Sequence, residues 1–236
     1  MRRISFLTRL LDLIAPRACV ICGCRLSITE ELICGACNMH LPRTGFSESP
    51  SDNEMAKLFW GRLNSNYPIE QATALFRFEP ESQVSKLIYN LKYHDHPEYG
   101  EILGRMVAME QPESFFKDIQ LIIPVPLTRV RQRRRGYNQS MMIAQGISDF
   151  TKTPIGKNII IRKHFHESQT RKDWWERQDN VEGVFKLTDS SAVSGKHILI
   201  VDDVLTTGAT ILSCCNELLK AGDVRFSVLT LGFTKS

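Results

Sequence analysis

Residues 198–210 read Ile198-Leu199-Ile200-Val201-Asp202-Asp203-Val204-Leu205-Thr206-Thr207-Gly208-Ala209-Thr210, and this stretch decides the fold. Ile198 to Val201 form a short, continuous apolar run, the pattern of a parallel strand buried on both faces. Two carboxylates, Asp202 and Asp203, follow where that strand is expected to end. A small-residue loop, Thr206 to Thr210, then opens into an apolar-periodic helix through Ile211, Leu212, Leu218 and Leu219. A strand, a tight polar loop and a helix N-terminus together make an anion site, because free backbone N–H groups and the helix dipole both favour a phosphate. Gly208 lets the backbone come close, and the threonine hydroxyls add hydrogen bonds. Two acids beside such a loop repel a bare phosphate. They suit a ligand that carries hydroxyls, a metal ion, or both.

This combination resembles the motif that binds 5-phosphoribosyl-1-pyrophosphate (PRPP) in type I phosphoribosyltransferases. The resemblance implies that Asp202 and Asp203 take the ribose 2′ and 3′ hydroxyls. It implies that Thr206, Thr207, Gly208, Ala209 and Thr210 cradle the 5′-phosphate, with Mg²⁺ accompanying PRPP where the site is active. A match over thirteen residues is far more specific than a bare glycine-rich loop.

The chain has 236 residues, room for one large domain and a small module. Its 42% apolar content supports a packed core, and its net charge of +4 is mild. Charge distribution is more telling. Arg129, Arg131, Arg133, Arg134 and Arg135 fall within seven positions. No apolar run approaches a membrane span. Arg2 and Arg3 precede apolar residues, as in a signal peptide, but Arg9 and Asp12 interrupt the stretch and no small-residue cleavage site follows. A cytoplasmic location is expected.

Five of the seven cysteines lie between Cys19 and Cys37. Cys19-x-x-Cys22 and Cys34-x-x-Cys37, eleven residues apart, have the spacing of a structural zinc module. A cytoplasmic setting disfavours disulfides, and no βαβ pattern flanks the pairs as in a thioredoxin-like site. So small a module is expected to draw much of its stability from the metal. Cys24 is a spare that could replace Cys22, although the spacing favours Cys22. Ile4, Leu7, Leu10, Leu11 and Ile14 fall at helical spacing ahead of the module.

Residues 42–70 are polar and irregular, with Pro42, Gly45, Pro50 and Pro68, and read as a linker with some helix from Met55 to Trp60. A strand is expected at Ala74–Phe78. An amphipathic helix is expected through Val84, Leu87, Ile88 and Leu91. Leu121-Ile122-Ile123 is a second short strand, ended by Pro124 and Pro126. A loop then enters the arginine cluster and Gly136-Tyr137-Asn138-Gln139-Ser140, before a helix through Met142, Ile143, Ala144 and Ile147. A basic loop at the carboxyl edge of a parallel strand is placed to meet an anion, although charge runs are commonly solvated faces. His94 and His96 have no clustered partners and read as surface residues. Trp174 and Trp175 sit in a polar stretch, to pack on the domain or to stack on a base. The last strand is expected at Val224–Leu231.

Over nearly its full length the pattern resembles the ComF family and the related GntX proteins. The resemblance rests on the four module cysteines, Leu91-Lys92-Tyr93, Ile123-Pro124-Val125-Pro126-Leu127 and Arg135-Gly136-Tyr137-Asn138-Gln139. It continues with Gln169, Arg177, Asn180 and Phe185, and then Val201 to Thr210. It implies an α/β fold: a type I phosphoribosyltransferase-like parallel sheet flanked by helices. Ahead of it come an N-terminal helix and a four-cysteine zinc module over 1–45 and a linker over 46–70. The transferase-like domain covers 71–236. Arg133, Arg134, Arg135, Gly136 and Asn138 are implied contacts to diphosphate or nucleic acid, and Gln169 and Arg177 lie in a loop that closes over PRPP. The implied role is support of DNA uptake in natural transformation, with PRPP or a phosphorylated ribose as ligand. Single-stranded DNA and an uptake helicase or recombination mediator are the implied macromolecular partners. A phosphoribosyltransferase activity is open, because nothing in the sequence marks the acceptor. The competing reading is a non-catalytic DNA-binding or scaffold protein.

Overall fold

The structure, a computed structural model, describes residues 16–61, 67–93, 96–163 and 183–234. The expected helix at 4–14, His94, the tryptophan pair, Gln169, Arg177 and Asn180 lie outside the described residues.

Among the described residues the strands are β1 (Ile69–Arg77), β2 (Leu121–Pro124), β3 (Ile160–Arg162), β4 (Phe185–Leu187), β5 (His197–Leu205) and β6 (Arg225–Phe233). Four of them form one parallel sheet in the order β1-β6-β5-β2, while β3 and β4 pair antiparallel apart from it. The helices are α1 (Gly35–His40), α2 (Glu54–Gly61), α3 (Gln83–Tyr93), α4 (Pro97–Met109), α5 (Glu113–Phe116), α6 (Arg129–Arg135), α7 (Gln139–Thr151) and α8 (Ala209–Leu218). A parallel sheet needs cover on both faces, and β5 accordingly buries every residue from His197 to Val201. Alternation along the strand divides the core. Ile198 and Ile200 face Met55 and Phe59 of α2 and Ile211 and Leu212 of α8. Leu199 and Val201 face α3, α4 and α7 through Leu91, Leu103 and Ile143.

β5 runs four residues past the expected end at Val201. Its neighbour β6 continues alongside, pairing Asp202 with Thr230 and Leu205 with Phe233. On the other edge β2 stops at Pro124, opposite Val201. The apolar run measures burial on both faces, whereas the ladder needs only one partner, so the strand outlasts the run. β1 likewise begins at Ile69, five residues before the expected start, because its polar Glu70 and Gln71 sit in a strand at the sheet edge.

Two expectations of irregular chain give way to packed structure. Within 46–70, Phe46, Met55, Ala56, Leu58, Phe59 and Ile69 enter the core. Asn53 opens α2 by accepting hydrogen bonds from the amides of Met55 (2.9 Å) and Ala56 (3.0 Å). The arginine cluster, expected in a loop, is the helix α6. Arginine is a good helix former, the Thr128 side chain caps the first turn, and Gly136 at φ 78° ends it. The cysteine module is not a separate body either. Cys19, Leu26, Leu32, Ile33, Cys34 and Leu41 belong to the same buried cluster as α3 and α4. Arg105 of α4 reaches Glu31 of the module at 2.9 Å.

α4 and α7 approach closely because glycines face the contact. A Cβ on Gly104 would lie 2.1 Å from the Ile143 carbonyl oxygen, and one on Gly146 would lie 2.0 Å from that of Glu101. Both obstacles are backbone, so neither can swing aside. In an isolated helix Gly146→Ala would stabilise by about 1 kcal/mol. Here the forced separation should outweigh that gain, for a net loss of about 1–3 kcal/mol. A lower urea midpoint with an unchanged m-value is the expected result, and a midpoint equal to or above wild type would refute the close approach.

Candidate functional site

The overhang of β5 builds the site. Past Val201 the strand keeps β6 on one side and has no described strand on the other. Asp202 and Asp203 project to opposite faces there, yet both meet the N-terminal turn of α7. Ser140 donates its hydroxyl to Asp202 Oδ1 at 2.9 Å, and the Asp203 amide donates to the same oxygen at 2.9 Å. Asp203 is more deeply held. Its Oδ2 accepts from Gln139 Nε2 at 3.0 Å and pairs with Lys92 Nζ at 2.8 Å, and its Oδ1 accepts the Val204 amide at 2.7 Å. The acids are therefore unequal. Asp203 is buried and tied to α3, α7 and its own strand, whereas Asp202 is half-buried at the open edge. Burial, and then the neighbouring Asp203 charge, push the Asp202 carboxyl up to about 7. The Ser140 hydroxyl and Lys92 oppose that rise.

The loop expected to cradle a phosphate follows directly. Thr206 and Thr207 are exposed, and Gly208 stands at φ 81° as the residue before α8. A side chain at Gly208 would meet Leu58 at 3.0 Å and Phe59 at 3.2 Å, so both conformation and space demand glycine. Gly208 offers no side chain to cap α8, and the first amide of the helix, that of Ala209, meets the Thr207 hydroxyl at 3.4 Å within the loop. An oxyanion there gains hydrogen bonds and the helix dipole.

The basic elements lie along the same sheet edge. Arg129 to Arg134 are exposed on α6, and Arg135 stacks over the Tyr93 ring with its Cζ 5.2 Å from the centroid. Asn138 serves mainly as a local brace. Its Oδ1 accepts the Ser140 amide at 3.0 Å and its Nδ2 donates to the Val125 carbonyl at 3.0 Å. Arg162 of β3 is held below the usual guanidinium value by burial and by the nearby Arg131 charge, while Asp202 pulls the other way. A cleft of about 590 Å³ between the loop after β2, α7 and β3 is bordered by Arg129, Asn138, Arg162 and Lys163. Sequence reasoning assigns no role to Lys92, Gln139, Ser140 or Arg162. The first two stand in the quoted motifs, but only the fold brings them to the acid pair.

The module gathers its cysteines. The sulfurs of Cys19, Cys22, Cys24 and Cys34 all lie within 4.8 Å of one another, a set that could hold a metal ion. Cys22 and Cys34 are 3.8 Å apart. Four sulfurs around zinc at about 2.3 Å stand about 3.8 Å from one another, so this pair already has the required separation. The Cys37 amide points at Cys34 Sγ from 3.4 Å. The Cys24 amide, ahead of neighbouring thiols, lowers the Cys22 thiol to about 6. Burial opposes ionisation of Cys19, but the amides of Cys22, Cys34 and Ile21 outweigh it and lower that thiol too. Both shifts favour the thiolate that binds metal, whereas the Cys22 and Cys34 thiols push Cys24 up to about 12 and burial pushes Cys37 up.

Residues 113–231 match the phosphoribosyl transferase domain family. The DNA utilization protein YhgH of Escherichia coli O157:H7 is 30% identical over 227 residues, covering 93% of this chain and 98% of its own. Competence protein F of Haemophilus influenzae is 27% identical over 85% of this chain and 84% of its own. Competence protein ComFC of Bacillus subtilis is 32% identical over 43% of this chain and 39% of its own. Among solved structures, the allosteric regulatory enzyme of purine biosynthesis aligns at 19% identity and a TM-score of 0.41, over 59% of this chain and 29% of its own. This chain belongs to the ComF family and carries a phosphoribosyltransferase-like α/β domain. No helix among the described residues is long and apolar enough to cross a membrane.

The Asp202 environment sets a pH signature that needs no ligand. A carboxyl raised from about 3.9 in the unfolded chain to about 7 in the fold costs no stability below the lower value. The cost grows as pH climbs between the two values and is constant above the upper one. Asp202→Asn keeps the Oδ1 acceptor and removes the charge. It should match wild type near pH 4 and exceed it by roughly 1–3 kcal/mol at pH 8. Urea unfolding at several pH values measures the gap, and a gap that fails to widen with pH contradicts the assignment.

Proposed function

We propose that this ComF-family protein binds PRPP or a phosphorylated ribose at the overhang of β5 and supports DNA uptake in natural transformation. The observation that carries the reading is the meeting of the α8 N-terminus and its Gly208 turn at Thr206–Thr210 with a carboxylate edge at Asp202. A phosphate alone has no use for the acid. Ribose hydroxyls donate to an ionised carboxylate, and such charge-assisted bonds are strong. Mg²⁺ would enter with PRPP and offset charge on its diphosphate. Arg133, Arg134 and Arg135, at the end of α6 before Gly136 and Asn138, supply positive charge for that diphosphate or for nucleic acid. Gln169 and Arg177 belong to the proposed closing loop. If a transfer reaction occurs, it passes the phosphoribosyl group to an amine or base with loss of diphosphate. The protein's part would then be positioning and electrostatic stabilisation. The module over 1–45 would hold structural Zn²⁺, and the protein would act in the cytoplasm.

A second reading has a specific support: the exposed arginines of α6 are far more numerous than one diphosphate needs. In it the chain binds single-stranded DNA, or docks an uptake helicase or recombination mediator, without catalysis.

Calorimetric titration separates the two readings. Asp202→Asn with Asp203→Asn should weaken ribose 5-phosphate and Mg²⁺–PRPP at least tenfold while leaving inorganic phosphate equal or tighter. Gly208→Val should weaken all three. No saturable binding of PRPP or ribose 5-phosphate by wild type at millimolar concentration rejects the ligand reading. Arg133, Arg134 and Arg135 changed to alanine should lower single-stranded DNA affinity and flatten its salt dependence, since with fewer phosphate contacts binding releases fewer counterions. An unchanged slope would mark α6 as a solvated face.

Metal analysis tests the module. Purified protein should carry about one zinc per chain, lost on Cys19→Ser or Cys34→Ser. Metal-free protein that folds normally would end the zinc assignment.

A further inference from the structure

The module offers five thiols to an ion that takes four. Resting on the zinc reading above, we propose that Cys19, Cys22 and Cys34 form a fixed three-sulfur base and that Cys24 and Cys37 are interchangeable fourth ligands. Paired Cys-x-x-Cys spacing assigns the fourth position to Cys37. The geometry gives Cys24 an equal claim. Its sulfur is in the mutually close set with Cys19, Cys22 and Cys34, none of them more than 4.8 Å from another. Cys37 approaches the same base from the other cysteine pair. Its amide donates to Cys34 Sγ at 3.4 Å, and it follows Cys34 by one turn of the helix that Cys34 caps.

The local backbone explains how both reach the site. Cys19 to Cys24 close on themselves, with the Cys19 amide donating to the Cys24 carbonyl and the Gly23 amide to the Cys19 carbonyl, each at 2.8 Å. Gly23 at φ 74° reverses the chain between Cys22 and Cys24. That reversal returns Cys24 toward the base when an ordinary strand would carry it away. Cys37 sits one turn into α1, whose N-cap is Cys34. Cys19 and Cys34 are buried in the core, whereas Cys22 and Cys24 are exposed and Cys37 is half-buried. The two candidates for the fourth position thus lie nearer solvent than the anchoring Cys19 and Cys34, where one can leave as the other enters. A zinc site closed in this way keeps four thiolates after losing either outer cysteine, and always has one thiol to spare for exchange.

The test uses the full chain with Cys24→Ser, Cys37→Ser and the double variant. Zinc is measured by metal analysis and competition with a chromophoric chelator. Co²⁺ substitution reports the number of thiolates through its sulfur-to-metal absorption. Each single variant should hold about one zinc, keep the four-thiolate Co²⁺ spectrum, and lose affinity by only about twofold, the statistical weight of one arrangement. The double variant should show a three-thiolate spectrum and at least tenfold weaker zinc binding. Circular dichroism checks folding, which the module's share in the main core should preserve. If either single variant behaves like the double one, the fourth ligand is fixed and the proposal fails while the zinc site stands. If wild type binds no zinc, the zinc reading fails and this inference with it.

Discussion

β5 has two strand partners as far as Val201 and one beyond it. That imbalance is the constraint from which the candidate site follows. While β2 runs alongside, side chains on both faces are covered and only apolar residues are stable. Where β2 turns away after Pro124, one edge opens, and carboxylates can be held at partial burial. β6 keeps the backbone extended through Leu205, so the Thr206–Thr210 loop starts from a fixed point. Without that one-sided ladder the acids would sit on a free loop, and α8 would not be aimed at them.

Holding two acids this close carries a standing cost, met unequally. Asp203 is buried but has a cation and two N–H donors on its oxygens. Removing one member of such a partly buried pair strands the other, so Lys92 and Asp203 bind α3 to β5 as a unit. Asp202 has no described cation within ion-pair distance and carries the residual strain, expressed as its raised protonation range. A group that weakens the fold when ionised, at the open edge of a sheet, is a candidate for binding. The division also suggests why the motif uses two acids: one fixes the strand end and one faces outward.

The sheet and its site strand are legible in the sequence because four buried apolar residues, two acids and a glycine-containing loop cannot be rearranged without losing the pattern. Leu121-Ile122-Ile123 and the α3 and α7 periodicities are legible for the same reason. Strand ends are not, since ladder length depends on a neighbour far away in the chain, as with Leu205 and Phe233. α6 is hidden because five arginines carry no apolar stripe, and its helical state rests on Thr128, Gly136 and propensity. Lys92 and Ser140 lie 111 and 62 residues from their acids, counted as 203 − 92 and 202 − 140. No local pattern in one sequence encodes such pairings. Spacing alone sets Cys24 aside, because it counts residues along the chain and misses the reversal at Gly23.

The same distinction changes the role of the metal. Read locally, the cysteine module is too short to bury a core and must depend on zinc for its shape. In the fold, Leu26, Leu32, Ile33 and Leu41 lie in one cluster with Leu87, Leu91 and Leu103. Each such side chain, fully buried, contributes about 1.5–3 kcal/mol of apolar stabilisation, so four outweigh what a free-standing knuckle could gather. A metal held by these cysteines would then have the narrower task of fixing two cysteine-bearing turns against each other on a surface already formed. α3 joins the two ends of this arrangement. Its apolar face lies in the same buried cluster as the module, and its last turn carries Lys92 to Asp203. One buried cluster therefore joins the cysteine module to the helix that brings a cation to the carboxylate edge, so the packing of either site bears on the other.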